Sequence, residues 1–422
     1  MKIQSLQAVN SNFIPKFNHA EQNKTSSCVQ GNFNSIYSKG MTQLAFGAVN
    51  KTKQPTHFEQ EISEQAEVLQ RLSNKYFLSP TPQLVDMDLG FTKEELDKVK
   101  RIHIIASGSS RNAAEMAKPF MEKVTNIPVN VEVASEFIYK DKPMNADEDI
   151  AIFVSQSGST ADTMEALNKV SQKGIKTIAV TNNPESKMAK AATYQIPIEA
   201  GEEKAVAATK SVTSSVFNLM AIGLKLADIK EEDILNESWE LENLPSAVEH
   251  MLNNDNDIKK AAKVISQADN IYYYAKGSNV AAAKEGCIKM TETTGKRIIA
   301  DSSGEALHGT FASIKPENPV VQVIIGEEGE PLHDIAIENI QEMTKKRNIQ
   351  NPIIMRQYSP EPIPNMPKST IYLEMPSAEE SISPILTTIK FQQLTNEVCK
   401  ILGINPDNGG GFLTKYRQNI TM

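Results

Sequence analysis

The sequence predicts an α/β protein made of two tandem, doubly wound parallel-sheet domains. Three observations lead there. Short apolar runs alternate with helical stretches, the order characteristic of parallel strands covered by helices. That order recurs in the second half of the chain. With 422 residues, the chain exceeds one ordinary core.

Residues 1–52 are rich in Asn, Gln, Ser and Lys, with Phe13, Phe17, Phe33 and Phe46 scattered without period. They read as a disordered polar extension. A helix begins near Thr56, where Phe58, Ile62, Gln65, Val68, Leu69 and Leu72 recur at helical spacing. It leads into a first domain over 53–228. There Ile102–Ile105, Pro128–Val133, Ile150–Val154, Lys176–Thr181 and Gln195–Ile198 read as strands. Helices fit Asn112–Val124, Thr160–Lys173 and Val206–Leu226. The acidic segment 229–260 reads as a connection, with Trp239 as a packing residue. A second domain over 261–403 repeats the plan. Its strands are Asn270–Ala275, Pro319–Ile325, Pro352–Met355 and Thr370–Leu373; its helices are Val280–Thr294, Ile335–Lys345 and Ile385–Leu402. Residues 404–422 form a tail with three glycines, Gly409–Gly411.

Composition narrows the function. Charged residues make up 23% and hydrophobic residues 40%, ordinary for a soluble protein. A net charge of −8 without a basic stripe argues against nucleic acid as the main partner. Three scattered cysteines, Cys28, Cys287 and Cys399, form neither a disulfide framework nor a metal site. No apolar run approaches a membrane span and no apolar segment follows Met1-Lys2-Ile3-Gln4, so a cytoplasmic protein is expected.

One loop carries a binding signature. Ser155-Gln156-Ser157-Gly158-Ser159-Thr160 follows a strand and opens a helix. At such a place free backbone N–H groups and the helix dipole converge on one point. The hydroxyls of Ser155, Ser157, Ser159 and Thr160 add donors, and Gly158 allows close approach. A helix cap needs one hydroxyl, whereas four point to a phosphate. Ser109 and Ser110, after the first strand, stand ready to complete the cradle. The matching turn of the second copy is Gly326-Glu327-Glu328-Gly329-Glu330, whose carboxylates repel an anion. The phosphate site therefore belongs to the first copy. The G-x-x-x-x-G-K-[ST] pattern is absent, which argues against an ATPase.

In the second copy, Glu285, Lys289 and Glu292 stand at i, i+4 and i+7 on one helical face. Such a face is either a solvated ion-pair stripe or a carboxylate base held beside a cation.

With these stretches in hand, the chain resembles the sugar isomerase (SIS) domain family. It is similar in particular to the isomerase half of glutamine–fructose-6-phosphate aminotransferases and to the amino-sugar-phosphate deaminases of SIS type. The matching motifs are Glu61–Gln65, Ser107–Ser110, Val133–Phe137, Ser155–Thr163, Val206–Lys210 and Gly304–Gly309, in order. The resemblance implies flavodoxin-like sheets of the nucleotide-binding type and a hexosamine 6-phosphate or fructose 6-phosphate substrate. It implies substrate contacts from Ser109, Ser110, Ser155, Gln156, Ser157, Thr160 and Ala207. It places Lys289 and Glu292 on the catalytic helix, with Glu292 transferring the proton. His308 would assist ring opening from a neighbouring subunit, so a homodimer with a shared site is implied. Lys415 corresponds to the tail lysine that contacts the substrate's keto carbon. No metal or cofactor is implied.

The sequence departs from the family pattern where glycines replace Pro-Arg before Lys415 and where Thr310 follows His308-Gly309 in place of proline. The synthases begin with a glutaminase whose nucleophile is an N-terminal cysteine. Here Lys2 follows Met1, so glutamine hydrolysis is not expected. The expected activity is that of a sugar-phosphate isomerase/deaminase resembling glucosamine-6-phosphate deaminase. The alternatives are an ammonia-fed synthase and a non-catalytic sugar-phosphate-binding regulator.

Overall fold

The computed structural model describes residues 54–77, 85–253 and 257–411. The N-terminal extension, Cys28 and Lys415 lie outside the described residues.

Two helices, α1 (His57–Ser63) and α2 (Gln65–Tyr76), lead in, the first capped by the Thr56 hydroxyl on Glu59 N. After the short α3 (Lys93–Leu96) come β1 (Arg101–Ala106), α4 (Gly108–Thr125), β2 (Val129–Val133), α5 (Ala134–Phe137), β3 (Asp149–Val154), α6 (Ala161–Ser171), β4 (Thr177–Thr181), α7 (Lys187–Ala191), β5 (Tyr194–Pro197) and α8 (Lys210–Ile229). Then α9 (Leu235–Asn253) and α10 (Ile258–Ser266) bring the chain to the second sheet. That half contains β6 (Asn270–Ala275), α11 (Asn279–Thr294), β7 (Arg297–Ser302), α12 (Ser303–Ala306), a 3₁₀ turn at Thr310–Ser313, β8 (Val320–Ile324), α13 (Pro331–Arg347), β9 (Ile353–Gln357), β10 (Ile371–Met375) and α14 (Pro384–Leu402). A second 3₁₀ turn, Pro406–Gly411, follows.

Every strand pairing is parallel, and the strand orders are β2-β1-β3-β4-β5 and β10-β9-β8-β6-β7. Read from its other edge, the second order is the first one repeated. The two halves are therefore the doubly wound sheets expected, with the reversal of winding between β1 and β3 in one and between β6 and β8 in the other.

The structure corrects the sequence reading in three places. The stretch after the α11 helix contains a strand, β7, for which the sequence reading has no element. As an edge strand it is only half-buried, so its residues carry little apolar signal. Segment 229–260, read as the connection, is largely helical, and α9 packs on α2. Trp239 on α9 is not a packing residue: it is 56% exposed. Finally, α8 is long and apolar enough to cross a membrane, contrary to the count of apolar runs. It is apolar all round because it is buried between neighbours, with 83% of its most apolar stretch covered by the protein.

One apolar core runs through both sheets. Helices α4 and α8 of the first half pack together, and α4 meets α11, which lies along α14. The approach of α11 to α14 depends on Gly286 in α11, where a Cβ would lie 2.5 Å from Phe391 Cγ of α14. Phe391 in turn stacks on Tyr273 of β6, ring centroids 4.6 Å apart. Gly286→Ala should therefore destabilise the fold by about 1–3 kcal/mol despite alanine's better helix propensity. Urea unfolding of the two proteins measures this as a lower midpoint at unchanged slope.

Candidate active site

Strands β1 and β3 are neighbours, and the loops leaving their carboxyl ends face each other across the crevice where the winding reverses. Ser109 and Ser110 lie in the first turn of α4; Ser155, Gln156, Ser157 and Thr160 lie in the β3–α6 loop. The structure thus brings together the residues assigned to the phosphate.

Gly158 shapes the second loop. Its φ is +61°, and any Cβ would overlap the hydroxyls of Ser186 and Thr181. Asn182 N donates to Gln156 O at 3.0 Å and Met188 N to Gly158 O at 3.2 Å, so the loop is tied to the β4 end. Thr160 is the residue before α6, but its hydroxyl does not cap the helix. It bonds Ser155 Oγ at 2.9 Å instead. Ser157 Oγ accepts from Ser159 Oγ at 3.0 Å. The hydroxyls therefore organise the loop, and the first N–H groups of α6 remain uncapped by any side chain. Ser107, before α4, likewise makes no cap bond, and its buried hydroxyl has no partner among the described residues. Two helix N-termini open on one crevice, as an anion requires.

The equivalent places in the second half are already filled. Glu380 accepts from Ser278 N at 2.6 Å and from Ser278 Oγ at 2.7 Å at the start of α11. Glu330 accepts from Glu327 N at 3.2 Å in the β8–α13 turn. Each carboxylate sits where a ligand anion would.

Across from the phosphate loops lies α11. Lys289 and Glu285 are fully buried, so the solvated stripe is excluded. Lys289 Nζ stands 2.7 Å from Glu292 and 3.4 Å from Glu285. It donates to Ser109 Oγ at 3.2 Å, which joins the two halves of the site. Burial opposes the lysine's charge, but Glu285, Glu292 and Glu203 outweigh it and hold its pKa above the ordinary lysine value. Because the folded value is raised, the ammonium persists through neutral pH and is lost only as pH rises past that value. Glu285 accepts from Asn112 Nδ2 of α4 at 2.8 Å. Glu292 is the partly exposed member, with 26% of its side chain accessible. It can meet a substrate while Glu285 balances the lysine.

Ala207 lies in the loop before α8. Its methyl is buried with Phe58, Ile62 and Ala205, so it can offer a ligand only its backbone. Buried Glu61 accepts from Lys204 N at 2.5 Å and Ala205 N at 3.1 Å. Burial raises its pKa, and those amides partly offset the effect. Glu203 accepts from Thr209 N at 2.9 Å and Ser211 Oγ at 2.7 Å. Asp407 ties the tail to this loop: its carbonyl accepts from Val206 N at 3.0 Å, while its carboxylate takes His57 N and Phe58 N at 3.0 and 2.8 Å. The tail thus leaves from beside the loop that precedes α8, and Lys415 itself is outside the described residues.

His308 is the candidate that the chain does not bring to this group. It follows α12, beyond the end of edge strand β7, and its exposed ring makes no hydrogen bond or ion pair among the described residues. Sequence reasoning missed Asn112, Glu203 and Glu380 as members or guards of the site. Asn112 sits three residues after Ser109, about one turn further along the same helix, and that spacing was the available signal.

The fold and the paired loops define a tandem α/β protein with a ligand crevice at the carboxyl ends of parallel strands. A family model described as the SIS domain matches residues 95–225 and 264–398, and the chain belongs to that family. The isomerizing glutamine–fructose-6-phosphate aminotransferase of Clostridium perfringens is 31% identical over 352 residues. That match covers 82% of this chain but 56% of the relative, so the chain spans little more than half its length. The C-terminal domain of glucosamine-fructose-6-phosphate aminotransferase from Francisella tularensis superposes with a TM-score of 0.76 at 27% identity, covering 85% of this chain and all of that domain. A glucosamine-6-phosphate deaminase from Thermotoga maritima shares the fold, with a TM-score of 0.61 at 19% identity over 84% of this chain and 97% of that one.

Replacing Lys289 by methionine leaves Glu285 and Glu292 facing each other without a cation. The variant should lose about 3–5 kcal/mol of stability. Urea unfolding of the variant beside the parent measures that loss as a lower midpoint.

Proposed function

We propose that the protein is an amino-sugar-phosphate isomerase/deaminase acting on hexosamine 6-phosphate and fructose 6-phosphate. The observation that carries this reading is the contact of Lys289 with Ser109, which sets a carboxylate–lysine group against an anion cradle. The phosphate rests on the N-termini of α4 and α6. The carbon chain then runs toward α11, where Glu292 moves a proton between C1 and C2. In the deaminase direction, water adds to the resulting C2 imine and ammonia leaves, giving the ketose phosphate. Lys289, 2.7 Å away, positions the Glu292 carboxylate for that transfer. The names of the relatives, which concern glutamine, fructose 6-phosphate and glucosamine, support the choice of amino sugars.

A coupled ammonia assay over a panel of hexosamine 6-phosphates tests the reading, with release expected from glucosamine 6-phosphate. Glu292→Gln should lower kcat by about 10²–10⁴-fold with little change in KM. Interconversion of hexose phosphates without ammonia would leave a plain isomerase. Phosphosugar binding without turnover in the parent would indicate a regulator.

The exposed His308 fits service to a second copy of the chain. The active form is then a homodimer in which each site takes His308 from its neighbour. Mixing the inactive variants Glu292→Gln and His308→Ala should restore activity, because each mixed dimer has one site with both residues intact. If the mixture stays as inactive as its parts, His308 does not cross between subunits.

A further inference from the structure

A groove of about 600 Å³ lies away from the phosphate loops, among α1, α2, α9 and α14. Its lining includes Gln393 of α14, only 8% exposed, whose Oε1 has no hydrogen-bond partner among the described residues. A buried acceptor without a donor is costly to leave unpaired. Asn396, 7% exposed, lines the same surface one helical turn on. Four carboxylates, Glu59, Glu67, Glu249 and Glu397, line the groove, against one lysine. That lysine, Lys400, already serves Glu59 and Glu397 at 2.7 Å each. Glu249 makes no ion pair among the described residues. The groove therefore lacks a donor-rich cation and repels phosphate.

The same helices hold the substrate loop on their other faces. Glu61 of α1, next to Ile62 in the groove, binds the amides of Lys204 and Ala205. Gln392 of α14, next to Gln393, accepts from Gln65 Nε2 at 2.8 Å and donates to Thr209 O at 3.3 Å. A ligand that draws α1 and α14 together would thus reset residues 204–209 through two short, buried bond chains.

We infer that this groove is an effector site for a small, non-phosphorylated amine bearing hydroxyl groups. Its ammonium meets Glu249 and its neighbours, and an N–H or O–H satisfies Gln393. The site itself stands without the functional reading above; its coupling to phosphosugar rests on that reading.

The test is calorimetric titration of the full chain with glucosamine, in the presence of saturating fructose 6-phosphate so that the crevice is occupied. Glucosamine should bind, and N-acetylglucosamine, which carries no ammonium, should bind at least about tenfold more weakly. Glu249→Gln and Gln393→Leu should each weaken glucosamine about tenfold while leaving fructose 6-phosphate binding intact in its absence. Bound glucosamine should change the fructose 6-phosphate affinity, and by reciprocity the converse. Three results would overturn the inference: no glucosamine binding, equal binding by both groove variants, or binding that leaves fructose 6-phosphate affinity unaltered. Failure of the enzymatic reading alone would appear differently, as absent turnover or absent fructose 6-phosphate binding with glucosamine binding retained.

Discussion

A buried ammonium must be neutralised, and the way Lys289 is neutralised constrains much of this molecule. Glu285 and Glu292, one turn to either side on α11, supply the charge. Asn112 then has to satisfy Glu285, and Ser109 takes a remaining proton of the lysine. Both belong to α4 of the other sheet, so the charge balance of one half is completed by the other. These two helices also share the apolar core that passes through both sheets.

The repeat offers an internal control on the site. Both halves have the same strand order and the same two helix N-termini at the point where the winding reverses. In the first half those N-termini carry hydroxyls and no side-chain cap. In the second, Glu380 takes Ser278 N just ahead of α11 and Glu330 takes Glu327 N in the turn ahead of α13. Each carboxylate brings a negative charge of the chain's own to a helix start. On the proposed reading, the second half is relieved of binding and contributes α11 to the chemistry. Division of labour between the copies is thus a matter of which anion each helix start receives, its own or a ligand's.

Much of this was legible in the chain. Strong apolar runs marked the central strands β1, β3, β4, β6, β8 and β9, because residues buried on both faces leave no room for polar alternation. The Ser155–Thr160 loop announced itself through an excess of hydroxyls, and the Glu285–Lys289–Glu292 spacing through helical geometry. Edge strand β7 was missed because half its surface faces outward. Trp239 was misjudged since composition does not tell which face of α9 meets α2. The length of α8 as an apolar helix escaped notice because serines and threonines interrupt it, and the hydroxyls of Ser211, Thr213 and Ser215 are absorbed by the helix backbone and by Glu203 and Gln65.

The sequence by itself determined the α/β class, the duplication and the residue types of the crevice, because these follow from local periodicity and from short motifs. It could not say whether Lys289 was solvated or buried, and the same three residues would serve either a surface ion-pair stripe or a reactive group. Only the tertiary structure decided that, by setting α11 against α4 so that water is excluded and Ser109 and Asn112 become its partners. Long-range partners such as Glu380 for Ser278, or Asp407 for His57, leave no local trace, since hydrogen bonds across a hundred residues or more depend on the packing of whole helices rather than on neighbours in the chain.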